Sequence, residues 1–506
     1  MTRPVVPVRS CEVLIAGAGP VGLMLTVQLR RYGVRVVLAE QLDEPTGESR
    51  ASQLNARTME ILDECGLLAD FGPAPCERIG HFGGLPLDVG GVDSPYAGLW
   101  KVPQFRTESV LARRAVRAGV RIRRGHRVRA AVPEGDRVVV TVDGPSGPVR
   151  LRCRYLVGCD GGRSTVRELA GIAFPGTDAD RRLYRADVAG IDVPNRRFER
   201  TSAGLAVAAR RPDGVTRVMV HEFSRPAGVP DEPPPFAEVV AAWRRVTGED
   251  IAAGTPLWLD SFGDGSRLAD RYRAGRMLIA GDAAHVHMPI GGHALNVGLH
   301  DAVNLGWKLA AVVRGRAVPG LLDSYGTERR PVAARVIADV DAQALLQLGG
   351  PEVEPARELV RELLDLPGVS ARIADALSGV DVRYDVGADG GEHPLLGRRL
   401  PHEVLDTAAG PVPVAGLLRD GDPLLIDLSG PASGSVERDW APWAGYVRRV
   451  PAAVRPGSAL AGLPAVLVRP DGHVVAVSGA PRTALERWCG PPAQHPLVSI
   501  NGGSHG

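Results

Sequence analysis

Lysine is almost missing from this chain. Of 60 basic residues among 506, only Lys101 and Lys308 are lysines, and Arg, Ala, Gly, Val and Pro abound instead, the codon bias of a GC-rich genome rather than chemistry. Long apolar runs are missing too: the chain is 44% hydrophobic, yet no stretch approaches the roughly 18 to 20 apolar residues that a membrane span needs. An integral membrane protein is excluded. Cysteine is sparse, and Cys11, Cys65, Cys76, Cys153, Cys159 and Cys489 form no CxxC pair and no zinc-finger spacing, so neither a disulfide framework nor a structural metal is indicated. Aromatics make up 5% and the net charge is +2. The arginine-rich stretch Arg113 to Arg129 lacks the interleaved rings of a nucleic-acid surface. Met1 to Ser10 has no apolar signal core or cleavage site, and a cytoplasmic location is expected.

The length exceeds what one core supports. The expected class is α/β, α+β overall: a Rossmann-like domain in two parts, 1–180 and 269–390, an antiparallel-sheet substrate domain at 181–268 between them, and a small α/β domain at 391–506. The pattern predicts a strand at Cys11 to Ala16, a helix at Leu23 to Tyr32 and a strand at Val34 to Glu40. It also predicts helices over Arg50 to Cys65, Thr107 to Ala118, Gly298 to Val313, Leu321 to Val340 and Glu354 to Leu366, a single buried strand at Leu151 to Val157, and loops and short strands over a ligand cavity between Phe71 and Val102. A Gly/Asp-rich linker is expected near Gly387 to Glu392.

Gly17-x-Gly19-Pro20-x-Gly22 carries a mechanism. Gly17 permits a tight turn, Gly19 lets backbone approach a pyrophosphate, and Gly22 allows helix and strand to pack closely. The following helix N-terminus favours phosphate charge, and Glu40 stands where an acid accepts hydrogen bonds from an adenosine ribose. This fingerprint alone does not separate FAD from NAD.

Two later segments do. Cys159-Asp160-Gly161-Gly162-Arg163 through Arg167, and Gly281-Asp282-Ala283-Ala284-His285 through Pro289, complete a set that resembles the group A flavoprotein monooxygenases typified by para-hydroxybenzoate hydroxylase. The resemblance implies that Asp160, Gly161 and Arg163 serve both FAD and the nicotinamide, and that Asp282 bonds the ribityl chain. Gly47 to Ser52, Gly80 to Pro86, Val102 to Gln104, Asp301 to Leu309 and Val468 to Gly472 are similar to the subgroup that oxidises aromatic polyketides, which has a thioredoxin-like C-terminal domain, here lacking CxxC. By that likeness Arg50 and Gln104 approach the phosphate and ribityl region, and Gly292 with the amides around Leu295 and Asn296 holds the pyrimidine end of the flavin.

One departure stands out: where relatives read GGQG, this chain has Gly291-Gly292-His293-Ala294. Ala294 is harmless only if it needs no positive φ. His293 is either a tolerated substitution or a group for proton delivery or substrate orientation, and it is the one catalytic candidate. His285 and His287, two apart, lack further ligands for a metal. The helix from Asp301 reads as support.

The resemblance implies an FAD-dependent monooxygenase with NAD(P)H as co-substrate, NADPH in preference to NADH. It hydroxylates a polycyclic aromatic polyketide with dioxygen through a flavin C4a-hydroperoxide, in antibiotic biosynthesis. Alternatives are Baeyer–Villiger insertion beside a ketone, inactivation of a bulky antibiotic such as an ansamycin, and a flavin-binding assembly protein without turnover. A homodimer stays open.

Overall fold

The computed structural model describes residues 9–47, 51–223, 232–387, 393–430, 440–477 and 482–492. They divide into two compact units, one of 1–62, 67–306 and 323–382, the other of 63–66, 307–322 and 383–506. No helix among the described residues is long and apolar enough to cross a membrane.

The first unit is built on a six-stranded sheet in the order 273–274, 277–279, 155–158, 13–16, 36–39, 122–123. All neighbours run parallel except the first two. Val13–Ala16 and Tyr155–Gly158 are buried throughout, as befits strands covered on both faces. The helix Pro20–Arg31 returns the chain between parallel neighbours, starting with Pro at its first position and no side-chain cap. A four-stranded sheet runs in the order 9–10, 147–153, 137–144, 127–134. The expected single strand Leu151 to Val157 is therefore two, Gly147–Cys153 and Tyr155–Gly158, in different sheets. No glycine, proline or other turn residue stands between them, so the sequence could not show the change of sheet at Arg154.

Between 182 and 263 lies a five-stranded antiparallel sheet in the order 196–200, 204–210, 216–222, 182–189, 255–263. Helix Phe236–Thr247 covers one face and buries Trp243 completely among Val188, Ala206, Val218 and Val220. Its other side shares a core with the long helix: Leu183 and Leu205 pack with Met288, Ile290, Val297, Val336 and Val340. That core fixes the sheet against the segment carrying Gly291 and Gly292.

Three expected helices differ by five residues or more at one end. The helix expected from Gly298 begins at His293, which puts Leu295 and Asn296 in its first turn. The one expected to stop at Val340 runs from Ser324 to Leu348, and that expected from Arg50 spans Ala56–Glu64. Helix Pro367–Ser378 was not foreseen.

The second unit holds a six-stranded sheet, order 410–413, 404–407, 448–453, 424–427, 465–468, 474–476, in which 424–427 and 448–453 are parallel. Within it Arg469 and Asp471 form a buried pair, Nε to Oδ1 at 3.0 Å. The guanidinium lies over Trp307, Tyr384 and Trp488.

Candidate cofactor and substrate site

Every expected motif leaves the carboxyl end of a neighbouring parallel strand: Gly17 after Val13–Ala16, Glu40 after Val36–Ala39, Asp160 after Tyr155–Gly158 and Gly281 after Met277–Ile279. Backbone bonds seam these edges together, Gly17 N to Ala39 O at 2.7 Å, Cys159 N to Ala16 O at 2.8 Å and Ala280 N to Gly158 O at 2.9 Å. This edge is where open α/β sheets bind nucleotides.

The glycines divide by what surrounds them. A Cβ at Gly17, where φ is +99°, would stand 2.2 Å from Cys159 O, and one at Gly22 only 2.0 Å from Gly17 O. Both are demanded by the protein's own packing. A Cβ at Gly19 would meet nothing within 4 Å. That open cradle, facing the uncapped amides of a twelve-residue helix, is shaped for a diphosphate. Glu40 accepts from Ala18 N at 2.6 Å and Leu42 N at 2.9 Å, so its carboxylate is fixed beside the loop.

A cavity of about 860 Å³ adjoins Ala18 and is lined by Leu23, Thr46, Phe105, Glu108, Arg113, Arg117 and Arg124. The arginines noted in sequence as no nucleic-acid surface line this cavity. Burial pushes the Glu108 carboxyl up, against a hydrogen bond from Gln104 and with repulsion from Glu40. Gln104 bonds the Ala51 backbone in both directions, donating its own N–H at 2.9 Å and accepting Ala51 N–H on its side chain at 3.3 Å. Arg50 lies outside the described residues.

In the Asp-Gly segment, Asp160 accepts from Ser164 Oγ and, at 3.1 Å, from Val166 N, so its carboxylate caps the short helix that follows. Burial raises its pKa, offset in part by those bonds. Gly161 takes φ +83° with open space around it. Arg163 is exposed. Arg167, expected from its place in the motif to contact the cofactor, is buried and donates to Gly162 O at 2.9 Å and Ala283 O at 3.1 Å. It joins the Asp-Gly and Gly-Asp loops.

In the Gly-Asp segment, Gly281 at φ +62° lies against Val21, and Asp282 and Pro289 are exposed. His285 Nε2 lies 2.7 Å from Asp301 Oδ2 and His287 Nδ1 2.9 Å from Met288 O. Among the described residues no cluster of His, Cys, Asp and Glu could hold a metal ion. Gly291 and Gly292 take φ of +68° and +72°, whereas Ala294 stands inside the helix without a positive φ. Starting that helix at His293 leaves its first amides, through Leu295 and Asn296, without helical acceptors. Asn296 Oδ1 accepts from Asn55 N at 3.0 Å and Thr58 Oγ1 at 2.7 Å, while its Nδ2 donates to Gly292 O at 2.7 Å. Its side chain thus holds the turn to the 53–58 segment.

His293 is buried, its Nε2 lacks a hydrogen-bond partner, and burial, helped by His287 and His81, pushes it down to about 3. At neutral pH it is an uncharged ring, with one N–H and without the imidazolium proton that an acid would deliver.

A second cavity of about 470 Å³ lies between the Gly291 turn and the antiparallel sheet, lined by Gln53, His81, Leu99, Lys101, Arg197, Phe198 and Val207 among others. Gln53 links its wall to the turn: Lys101 Nζ donates to Gln53 Oε1 at 3.3 Å and Gln53 Nε2 donates to Gly291 O at 3.2 Å. Sequence reasoning missed Gln53, Lys101, His81 and Phe198. The rarity of lysine was a signal for Lys101, and His81 lies within the noted Gly80 to Pro86 segment.

Sheet order, glycine cradle and paired cavities define a flavin-dependent oxidoreductase of the aromatic hydroxylase type. A family model for an FAD-binding domain matches residues 10–340 and one for the C-terminal part of aromatic-ring hydroxylases matches 393–492. A 12-dehydrotetracycline 5-monooxygenase/anhydrotetracycline 6-monooxygenase of Streptomyces rimosus is 42% identical, covering 95% of this chain and 99% of its own. A rifampicin monooxygenase of Streptomyces venezuelae is 39% identical over 92% of this chain and 95% of its own. The solved structure of CabE, an aromatic hydroxylase from angucycline biosynthesis, superposes with a TM-score of 0.91 at 46% identity, covering 96% of this chain and 100% of that one. The chain belongs to this FAD-binding aromatic-ring hydroxylase family and is an FAD-dependent monooxygenase.

Proposed function

We propose that the enzyme hydroxylates a polycyclic aromatic polyketide in antibiotic biosynthesis, with NADPH as reductant and dioxygen as oxygen donor. The observation that carries this reading is the 470 Å³ cavity bounded by the Gly291 turn on one side and the antiparallel sheet on the other, a volume suited to a fused-ring molecule. Its likeness to tetracycline-type and angucycline-type hydroxylases supports it.

In this reading Gly17, Gly19, Pro20 and Gly22 cradle the FAD diphosphate, Glu40 takes the ribose, and Arg113, Arg117 and Arg124 add positive charge around the nucleotide half. Arg50, Gln104 and Asp282 hold the phosphate and ribityl region. Asp160, Gly161 and Arg163 flank FAD and a transiently docking nicotinamide. Pro289, Gly292 and the free amides at Leu295 and Asn296 receive the pyrimidine carbonyls. Bound FAD supplies hydride acceptance and oxygen activation. The chain orients the ring, excludes water and holds its oxygens; His293 supports the turn as a neutral ring.

The C-terminal sheet, with one central parallel pair and antiparallel neighbours, fits a thioredoxin-like domain without redox chemistry, since CxxC is lacking. None of the six cysteines is in a disulfide, which suits a reducing cytoplasm.

The test is substrate-stimulated turnover. With FAD bound, NADPH oxidation rises several-fold on adding anhydrotetracycline or an angucyclic phenol, and NMR of the product shows a new ring hydroxyl with every ring intact. A ring-expanded lactone would replace hydroxylation by Baeyer–Villiger insertion. Flavin binding without stimulation by any polycyclic phenol overturns the reading. A second reading, oxidative inactivation of an ansamycin, rests on the rifampicin monooxygenase likeness; stimulation by rifampicin alone favours it.

A further inference from the structure

His81 has two ring nitrogens in unlike surroundings. Nδ1 accepts the Gly84 N–H at 3.3 Å, so in the neutral ring the proton sits on Nε2. The ring is neutral, because burial, with Arg197 and Lys101 nearby, pushes it down to about 4. Nε2 has no protein partner among the described residues, and unlike Nε2 of His287 and His293 it is not sealed from solvent. His81 belongs to the wall of the 470 Å³ cavity.

The fold fixes this ring at some cost. The His81 and Phe198 ring centroids are 4.3 Å apart at 54°. Phe198 has φ +55°, and no other non-glycine among the described residues has a positive φ. A bulky residue seldom tolerates that conformation. It falls where the pairing of 196–200 with 204–210 slips register, and such bulges re-aim side chains. Gly84, which supplies the N–H, takes φ +82°, a conformation that favours glycine, and stands beside Phe198. Arg197 clasps the two sides, donating to Ile79 O at 2.8 Å and Gly80 O at 3.3 Å. Strained backbone held in place at a cavity wall points to function.

We propose that His81 determines substrate specificity by donating its Nε2–H to a phenol or enolate oxygen of the polycyclic substrate, with Phe198 holding the ring at the donating angle. Lys101, whose ammonium is paired with Glu77 Oε2 at 2.9 Å, and Arg197 line the same wall; the Arg197 guanidinium favours an oxygen that carries negative charge, the form in which an aromatic ring is most reactive at carbon. The proposal rests on the hydroxylase reading above and adds to it the ring oxygen that is recognised.

The test uses the FAD-loaded full chain and follows perturbation of the flavin absorbance on titration with 1,8-dihydroxyanthraquinone and with its dimethyl ether. Wild type is expected to bind the phenol roughly tenfold more tightly than the ether, the size of one hydrogen bond to a charged oxygen. His81→Phe, which keeps an aromatic ring, brings the ratio near one, and His81→Gln, which keeps a donor, restores most of it. A wild-type ratio in His81→Phe, or a His81→Gln indistinguishable from His81→Phe, overturns the proposal while leaving the hydroxylase reading standing. If His81→Phe fails to retain FAD, Phe198→Leu, which frees the ring without altering its nitrogens, carries the test: a reduced ratio supports the proposal and an unchanged one overturns it. If wild type binds neither probe and anhydrotetracycline fails to stimulate NADPH oxidation, the substrate reading falls and this proposal with it.

Discussion

Asp301 Oδ2 lies 2.7 Å from His285 Nε2 and receives the Gly281 N–H at 3.2 Å, while Oδ1 takes Arg329 Nε at 2.7 Å. One buried carboxylate thereby ties the Gly-Asp loop to two helices. Burial alone would raise its pKa, but Arg329 and His285 outweigh it and hold the carboxyl below its usual range.

Asp301→Asn leaves Arg329 buried without its countercharge. The expected loss is about 3–5 kcal/mol of stability, read by urea denaturation, together with weaker retention of FAD. In wild type this contribution is complete above about pH 4 and fades as the pH falls through the depressed value. Unaltered stability in the variant would contradict the placement of Asp301.

His81, His287 and His293 are held to about 4, about 4 and about 3 by burial. In the unfolded chain they take up protons near pH 6.5. Toward pH 4 the unfolded chain therefore binds more protons than the folded one, and stability falls by about 1.4 kcal/mol per pH unit for each histidine. His293→Gln should reduce proton uptake on unfolding at pH 5 by about one, measured by thermal melts across pH 4.5 to 6.5.

Gly19 and Gly22 belong to one motif but serve different needs. Gly22→Ala forces a Cβ against Gly17 O, so the apoprotein itself should melt several degrees lower. Gly19→Ala meets nothing in the protein. Its apoprotein should melt as wild type does, yet bind FAD at least tenfold more weakly if a diphosphate occupies that space. Flavin titration and apoprotein calorimetry separate the two effects.

In the C-terminal unit, Asp471 is held well below the usual carboxylate range: burial would raise it, and Arg469 and His473 lower it more strongly. Asp471→Asn strands a buried guanidinium, and about 3–5 kcal/mol should be lost. Calorimetry should show it as a lower-temperature transition. Retained stability would mean that the three rings around Arg469 suffice to hold it.

Much of the site was legible because it consists of backbone requirements. Gly17, Gly22 and Gly281 are glycines since a Cβ would strike neighbouring atoms, and Glu40 ends a strand where its carboxylate meets Ala18 N; such constraints leave marks in spacing. The strands at Val13–Ala16 and Val36–Ala39 were likewise readable. The division at Arg154 was not, because no turn residue separates Cys153 from Tyr155 and the two strands read as one run. The early start of the helix at His293 was masked by Gly291 and Gly292, which read as loop until their left-handed geometry shows them leading into a helix.

By itself, then, the sequence determined the FAD-binding class, through three ordered motifs whose glycines and acids answer local steric and hydrogen-bonding needs. Only the tertiary structure decided what the remaining polar residues do. Asp160 caps a helix, Arg167 joins two loops, Asn296 holds residues 53–58, and His293 is a neutral buried ring. Lys101, Gln53, His81 and Phe198 share a cavity wall although far apart in sequence. Their roles depend on which groups lie within hydrogen-bond distance after folding, and long-range packing sets that.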